Sequence, residues 1–310
     1  MSLDTQLQRV LDAANAGYET FPESPNILEG FLTAISFAME HYMASCSVDR
    51  ALPLVEQSYR AATLAAELEE QQYAVVGLER LKDWAGHASH LGNMYLNAGS
   101  IELAKRFFKE SLLLRQRITT EDPTNEYVQK RLAESQLDLF RLSFLATEAF
   151  PTSALDQSLL ENISAAVKDE LDDLLGLELA RLQLLAEKYV YLKDFLNAEN
   201  VIIPLLAKLE NEDLSNERYA GYAAVAYWLS TAVELTPVNK GFFIDSPIDN
   251  ASSSCKGLFV QWSWHLANGN TDKADAIASE LWSKGYKHPR MGFYAKLAGA
   301  TFPPAGISEQ

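Results

Sequence analysis

Three residues with metal-ligating side chains recur at helical spacing in the segment DWAGHASH: Asp83, His87 and His90. Spacings of four and three residues place the three side chains on one face of a helix, where they could hold a divalent cation such as zinc. The sequence signals no fourth ligand, and histidines at this spacing are also common on helices that line polar grooves. We therefore predict no metal and no cofactor, and we expect this helix face to line a polar groove.

Signals for catalysis are weak elsewhere in the chain. Ser253 and Lys256 form an S-x-x-K pattern, but the partner motifs that an acylating serine needs are missing, so the stretch predicts a serine-capped helix start. Nucleophile elbows, phosphate-binding loops and dinucleotide-binding turns do not occur. The many paired carboxylates lie in charged runs rather than in apolar surroundings that would tune their pKa. The sequence therefore predicts a protein that is not an enzyme.

The charge balance excludes two classes of partner. Lys and Arg number 26 against 42 Asp and Glu, so the formal net charge is −16. Such a field repels nucleic-acid phosphates and anionic lipid headgroups, and no local basic patch overrides it. The N-terminus has no basic segment followed by an apolar one, and no uncharged apolar run is long enough to cross a bilayer. We therefore expect a cytoplasmic protein with neither a nucleic-acid nor a membrane partner.

The elements that position these side chains are predicted to be helices throughout. Apolar residues recur at spacings of three and four, and alternating β-branched runs are nearly absent, which predicts an all-α fold. Turn-forming residues cut the chain into roughly a dozen helices, and the short connections between them favour antiparallel hairpins. The predicted breaks lie at 22–25, 45–47, 97–100, 122–124, 151–153, 236–241 and 268–270.

Four segments can be aligned on a ring residue that is followed nine positions later by alanine. Turn-like residues fill the middle of each interval, which is typical of a tight helix–turn–helix. The ring fills the space between two helices, a glycine permits a left-handed turn, and the alanine allows the second helix to approach closely. The four pairs are Tyr42/Ala51, Tyr95/Ala104, Tyr189/Ala198 and His265/Ala274.

One of these segments resembles the tetratricopeptide repeat, a helical hairpin of about 34 residues. The resemblance is specific over residues 84–125 and degenerate near 26–70, 178–212 and 254–285. It implies that residues 1–310 form a single domain, a right-handed superhelix of antiparallel helical hairpins, with 301–310 as a flexible tail. The residues that carry the signature are Leu91, Gly92, Tyr95, Gly99, Ala104 and Phe108.

The resemblance also implies a concave face that binds a peptide or protein segment. The family's grip on a terminal carboxylate uses Lys, Arg and Asn, but here Asn93 alone fits it, and Glu40 and Glu187 carry the wrong charge. The partner is therefore expected to be basic or neutral rather than acidic. The inward positions begin with Ser36, and those predicted to bind are Glu40, Ser89, His90, Asn93, Asn97, Gln183, Glu187, Phe259 and Ser263.

A long break with large apolar residues leaves two interpretations open. Phe242, Phe243 and Ile244 lie between prolines and a glycine that prevent a continuous helix. Either this trio plugs a gap between helices, or it forms part of a partner interface. The aromatic stretch around Trp262 and Trp264 also has two interpretations, as core packing or as a ligand-stacking groove.

These observations favour a non-enzymatic scaffold or adaptor that binds a peptide or protein segment in a concave groove. The alternative is a regulatory protein that senses a ligand or signal peptide and acts through a partner chain, because no output segment is recognised in the sequence. Homo-oligomer formation stays open at this point.

Overall fold

The computed structural model describes residues 3–147, 172–210, 212, 217–233 and 254–304. Within these residues all regular structure is helical, which confirms the all-α prediction, and the structure gives twelve helices. None of the described helices is long and apolar enough to cross a membrane. They are α1 (Leu3–Thr20), α2 (Pro25–Ala44), α3 (Val48–Tyr73), α4 (Leu78–Asn97), α5 (Ile101–Glu121), α6 (Glu126–Thr147), α7 (Asp172–Tyr191), α8 (Phe195–Leu209), α9 (Glu217–Ala232), α10 (Cys255–Ala267), α11 (Thr271–Ser283) and α12 (Pro289–Leu297).

The chain divides into two compact units, Met1–Leu139 and Phe140–Gln310, which we call unit 1 and unit 2. In unit 1, helices α1 to α4 each pack against the next helix along the chain. In unit 2, α7 packs against α8 and α9, α9 also packs against α8 and α10, and α10 packs against α11. Neighbours in sequence are thus neighbours in space within each unit, as short connections require.

The four aligned turns share one backbone geometry. The residue four positions after each ring residue has a positive φ: 55° at Cys46, 80° at Gly99, 57° at Lys193 and 69° at Gly269. The amide of the following residue donates to the carbonyl oxygen of the ring residue, which is the hydrogen bond of a left-handed helix end. The N···O distances are 2.7 Å (Ser47 to Tyr42), 2.8 Å (Ser100 to Tyr95), 2.9 Å (Asp194 to Tyr189) and 2.9 Å (Asn270 to His265).

Small residues lie where the paired helices touch. In the α4–α5 pair, Leu91 and Phe108 are buried, and Ala104 is fully buried. A Cβ atom added to Gly92 would lie 2.8 Å from Cδ1 of Phe108, closer than carbon atoms pack. Gly92 therefore allows the Phe108 ring to fill the space between the two helices. The alanines at the matching position of the other three pairs, Ala51, Ala198 and Ala274, are also buried.

Most predicted breaks that fall on described residues lie at helix ends, but some helix ends have no predicted break. Examples are 74–77, where Ala74 ends α3 with a φ of 60°, and 284–288, where Gly285 has a φ of 79°. Helix α8 also ends, at Leu209, where no break was predicted. The predicted breaks at 151–153 and 236–241 lie outside the described residues. Within the predicted tail, the Phe302 ring lies 5.5 Å from that of Trp282, and residues 305–310 are outside the described part.

Candidate functional site

An open groove of about 570 Å³ lies in unit 1 between α2 and α4. Its α2 wall is one continuous helix face, because the lining residues recur at steps of three to five. The wall spans twelve residue steps, or about 18 Å at 1.5 Å per residue. The lining residues are Leu28, Glu29, Leu32, Thr33, Ser36, Phe37 and Glu40 from α2, and Arg80, Asp83 and His87 from α4.

The centre of the groove presents apolar surface to solvent. Phe37 is 64% exposed, although a ring of this size is normally buried in the core of a helical protein. Leu32 lies one helical turn away on the same face and is partly buried. An exposed aromatic ring beside aliphatic side chains in a concave surface is typical of a binding site rather than of a solvated helix face.

The charged groups of the groove are mostly acidic. Glu29, Glu40 and Asp83 face one cation, Arg80. The Arg80 guanidinium makes two long ion pairs, with Nη1 3.7 Å from Asp83 Oδ2 and Nε 4.0 Å from Glu69 Oε2. The Glu40 carboxylate has neither an ion pair nor a hydrogen bond with any residue that the structure describes. The groove therefore carries net negative charge that is not neutralised near Glu40.

The part of the groove nearest α3 is lined by His87, which carries no charge. Its Nδ1 atom lies 2.8 Å from Oγ of the buried Ser58 of α3. Burial, with a smaller contribution from nearby His90, lowers the pKa of His87 to about 4. The imidazole is therefore uncharged near pH 7, and the carboxylates of the groove have no histidine cation beside them.

The structure does not bring the three residues with metal-ligating side chains together. The His87 and His90 rings lie 6.4 Å apart at 84°, and Asp83 faces Arg80. No group of three or more His, Cys, Asp or Glu that could hold a metal ion occurs among the residues described. Instead, Asp83 and His87 line the groove together with Arg80.

Hydrogen bonds among α3, α4 and α5 fix the α4 wall of the groove. Glu110 of α5 accepts from the Tyr59 hydroxyl of α3 at 2.7 Å and from Trp84 Nε1 of α4 at 2.9 Å. The Tyr95 hydroxyl of α4 donates to Glu56 of α3. Burial and the Glu56 carboxylate raise the pKa of Tyr95 to about 12, so the hydroxyl keeps its proton. These bonds hold α4 against α3 and so set the wall that carries Arg80, Asp83 and His87.

The remaining predicted positions of α4 lie away from the groove lining. Ser89, His90, Asn93 and Asn97 lie further along α4 than His87, and none of them lines the groove. The Asn93 side chain donates to the Ser89 carbonyl oxygen at 3.0 Å, within its own helix. Ser36 and Glu40 are the predicted inward positions of unit 1 that line the groove.

Of the predicted positions of unit 2, Gln183, Glu187 and Ser263 are buried and Phe259 is partly buried, so they do not form an open face. Glu187 is fully buried and accepts hydrogen bonds from Arg290 Nη2 at 2.9 Å, from Gln183 Nε2 at 2.7 Å and from the Tyr294 hydroxyl. Ser263 is also buried and donates to the Val260 carbonyl oxygen at 3.0 Å. In this network α12 supplies both Arg290 and Tyr294, which lie one helical turn apart.

Aromatic side chains surround this network. The Tyr294 ring lies 5.1 Å from Trp228 of α9 and 6.2 Å from Phe259 of α10. Burial and the neighbouring Glu187 raise the pKa of Tyr294 well above its usual value, although Arg290 opposes the shift. Burial alone lowers the pKa of Arg290, but Glu187 raises it above its usual value. The network thus places a charged guanidinium and a protonated phenol on the Glu187 carboxyl group.

The sequence interpretation missed Phe37, Arg80 and the partners from α12. Phe37 gave a usable signal, since it is a large apolar residue between the two inward positions Ser36 and Glu40. Arg290 and Tyr294 lie beyond the last predicted hairpin. Their spacing of four residues does not indicate a buried site by itself, because Glu187, the acceptor that they share, is distant in the sequence. Phe242, Phe243 and Ile244 lie outside the described residues, so their two interpretations stay open.

Comparison with known proteins adds no family to this description. The chain matches no protein-family model, no curated protein and no solved structure at a significant level of similarity.

Proposed function

We propose that the chain is a non-enzymatic scaffold or adaptor, and that the unit 1 groove binds a segment of another protein. The exposed Phe37 ring in an acidic groove carries this proposal, because it combines an apolar anchor point with charge that is not neutralised. A basic or neutral segment fits this charge better than an acidic one. The groove lies on the first helices of two successive hairpins, α2 and α4.

We further propose a tetratricopeptide-like array, in which stacked hairpins form a right-handed superhelix. The shared left-handed turn at four aligned positions and the buried alanine five residues after it support this assignment. Two of the four turns keep the geometry without glycine, at Cys46 and Lys193. The predicted cytoplasmic location and the absence of nucleic-acid partners stay predictions.

Selection from a displayed peptide library tests the proposal. The full chain is the bait, and enriched peptides are measured by isothermal titration against the chain and two variants. Phe37→Ser removes the anchor surface of the groove, and we expect it to weaken binding about tenfold or more. Leu113→Ser is the matched control, because Leu113 is 66% exposed on α5 and outside the groove. Enriched peptides that bind all three proteins equally, or no enrichment at all, would contradict the proposal.

A further inference from the structure

The two units offer a direct comparison of matching positions. Glu40 and Glu187 both lie two residues before the ring residue of their hairpin, Tyr42 in unit 1 and Tyr189 in unit 2. In unit 2 the carboxylate is fully buried and bonded to a guanidinium and a phenol from α12. In unit 1 the matching carboxylate faces an open groove. Unit 2 therefore shows what covers such a carboxylate in this chain.

We infer that the occupant of the unit 1 groove is a short amphipathic helix of a partner protein, with Arg or Lys at one position and an aromatic residue four positions later. This inference rests on the proposed function and names the class of partner. The cation pairs with Glu40, as Arg290 pairs with Glu187, and the aromatic ring packs beside Phe37. The acidic groove and the apolar centre provide the charge and surface complementarity for such a helix.

The polar groups of the groove favour a helix over an extended segment. Thr33 and Ser36 donate their hydroxyls to carbonyl oxygens of α2, at 2.9 Å each, and the Arg80 guanidinium lies within 4.0 Å of the Asp83 and Glu69 carboxylates. An extended peptide would find few donors and acceptors for its backbone there, and unpaired backbone groups are costly when buried. A helix satisfies its own backbone groups and presents only side chains.

The dimensions agree with a helix that lies partly in the groove. Twelve residues of helix measure about 18 Å in length and about 10 Å in diameter, which corresponds to roughly 1,400 Å³. The groove of about 570 Å³ takes less than half of that volume. It therefore accommodates one face of such a helix, while the opposite face stays in solvent.

A panel of three synthetic peptides tests the inference with the full chain. The parent peptide has the sequence of residues 287–298 with G292A, which increases its helical content and keeps Arg290 and Tyr294 one turn apart. The second peptide carries G292P instead of G292A, and the proline breaks the helix between Arg290 and Tyr294. The third carries G292A together with R290E. Binding is measured by fluorescence anisotropy on the wild-type chain, Phe37→Ser and the control Leu113→Ser.

We expect the parent peptide to bind the wild type and Leu113→Ser equally, and to bind Phe37→Ser about tenfold more weakly. The helix-breaking and charge-reversed peptides should each bind the wild type at least about tenfold more weakly than the parent. If either of these two binds as tightly as the parent and depends on Phe37, the inference is wrong while the proposed function stands. If no peptide shows Phe37-dependent binding, the inference is also overturned, and the library selection decides the proposed function separately.

Discussion

Matching helix faces have opposite surroundings in the two units. In unit 1 the face of α2 around Glu40 lines an open groove, with Phe37 largely exposed. In unit 2 the face of α7 around Glu187 is buried under side chains of α12. The same position in the hairpin thus lines a groove in one unit and forms part of the core in the other.

The difference teaches that the position of a residue in the hairpin does not determine its exposure to solvent. Glu40 and Glu187 share one position in the hairpin, two residues before the ring residue, yet the first lines an open groove and the second is fully buried. Whether it meets solvent depends on a separate segment, which in unit 2 is the nine-residue helix α12. A buried carboxylate needs a cation and hydrogen-bond donors, and α12 supplies both.

The largest expected effect comes from removing the two matching carboxylates one at a time. Glu187→Ala leaves Arg290 and Tyr294 buried without their acceptor, so we expect a loss of about 3 kcal/mol in the free energy of unfolding. Glu40→Ala removes an exposed group and should change stability by less than about 0.5 kcal/mol. Urea denaturation followed by circular dichroism measures both variants. Equal losses would contradict the assignment of one face as buried and the other as open.

A second expected effect concerns pH and compares His87 in unit 1 with His288 in unit 2. Burial lowers the pKa of His87 to about 4, and it lowers the pKa of His288 well below 6.5. On acidification the unfolded chain binds the proton before the folded protein does. The contribution of each histidine to the free energy of unfolding is therefore fully present above pH 6.5 and is lost as the pH falls towards the folded pKa. For His87 the loss between pH 7 and pH 5 is about 2 kcal/mol.

Substitution of each histidine isolates this contribution. His87→Gln and His288→Gln should each reduce the difference between urea denaturation free energies at pH 7 and pH 5, relative to the wild type. Substitution of the exposed Asn268 by Ser is the control and should leave the difference unchanged. An undiminished pH dependence in His87→Gln would show that its imidazole is protonated as easily in the fold as in the unfolded chain.

A third comparison concerns how closely paired helices approach. In unit 1, Gly92→Ala places a Cβ atom 2.8 Å from the buried Phe108 ring, and we expect a loss of about 1–2 kcal/mol. Gly86→Ala on the same helix meets no atom within 4 Å and should gain up to about 1 kcal/mol from helix propensity. Thermal unfolding of both variants measures the contrast. If both substitutions stabilise the protein, the close packing of α4 on α5 is not present in solution.

The smallest expected effect lies in the turns. Lys193 in unit 2 has the positive φ that Gly99 has in unit 1. Lys193→Gly should raise the free energy of unfolding by up to about 1 kcal/mol, and Gly99→Ala should lower it by about 1 kcal/mol, because a Cβ atom is strained at positive φ. Denaturation midpoints that move in the same direction for both variants would contradict the shared turn geometry.

The sequence predicted the local features well, because they depend on residues that are close in the chain. The four aligned turns are left-handed at the position expected for glycine, and even Lys193 adopts that conformation. The end of α3 was missed because Ala74 gives no turn signal, although it adopts a φ of 60°. Apolar periodicity sufficed for the all-α fold, since helical spacing is a property of each segment alone.

The candidate site was only partly predictable, because it depends on residues that are distant in the chain. Glu40 and Ser36 were placed on the groove side by their register, and Asp83 and His87 by their helical spacing. The burial of Glu187 was not predictable, because Arg290 lies more than a hundred positions later in the sequence. Exposure depends on which segments cover a face, and a single sequence contains no direct signal for that.

The most direct test of the central claim is a double-mutant cycle between the unit 1 groove and its helical ligand. Titration calorimetry would measure the parent peptide, and the same peptide with R290Q, against the wild-type chain and Glu40→Gln. We predict a coupling free energy of at least about 1 kcal/mol between the peptide's arginine and Glu40, by analogy with Arg290 and Glu187. A coupling indistinguishable from zero, with the peptide still bound, would contradict the claim that Glu40 takes a cation from a docked helix.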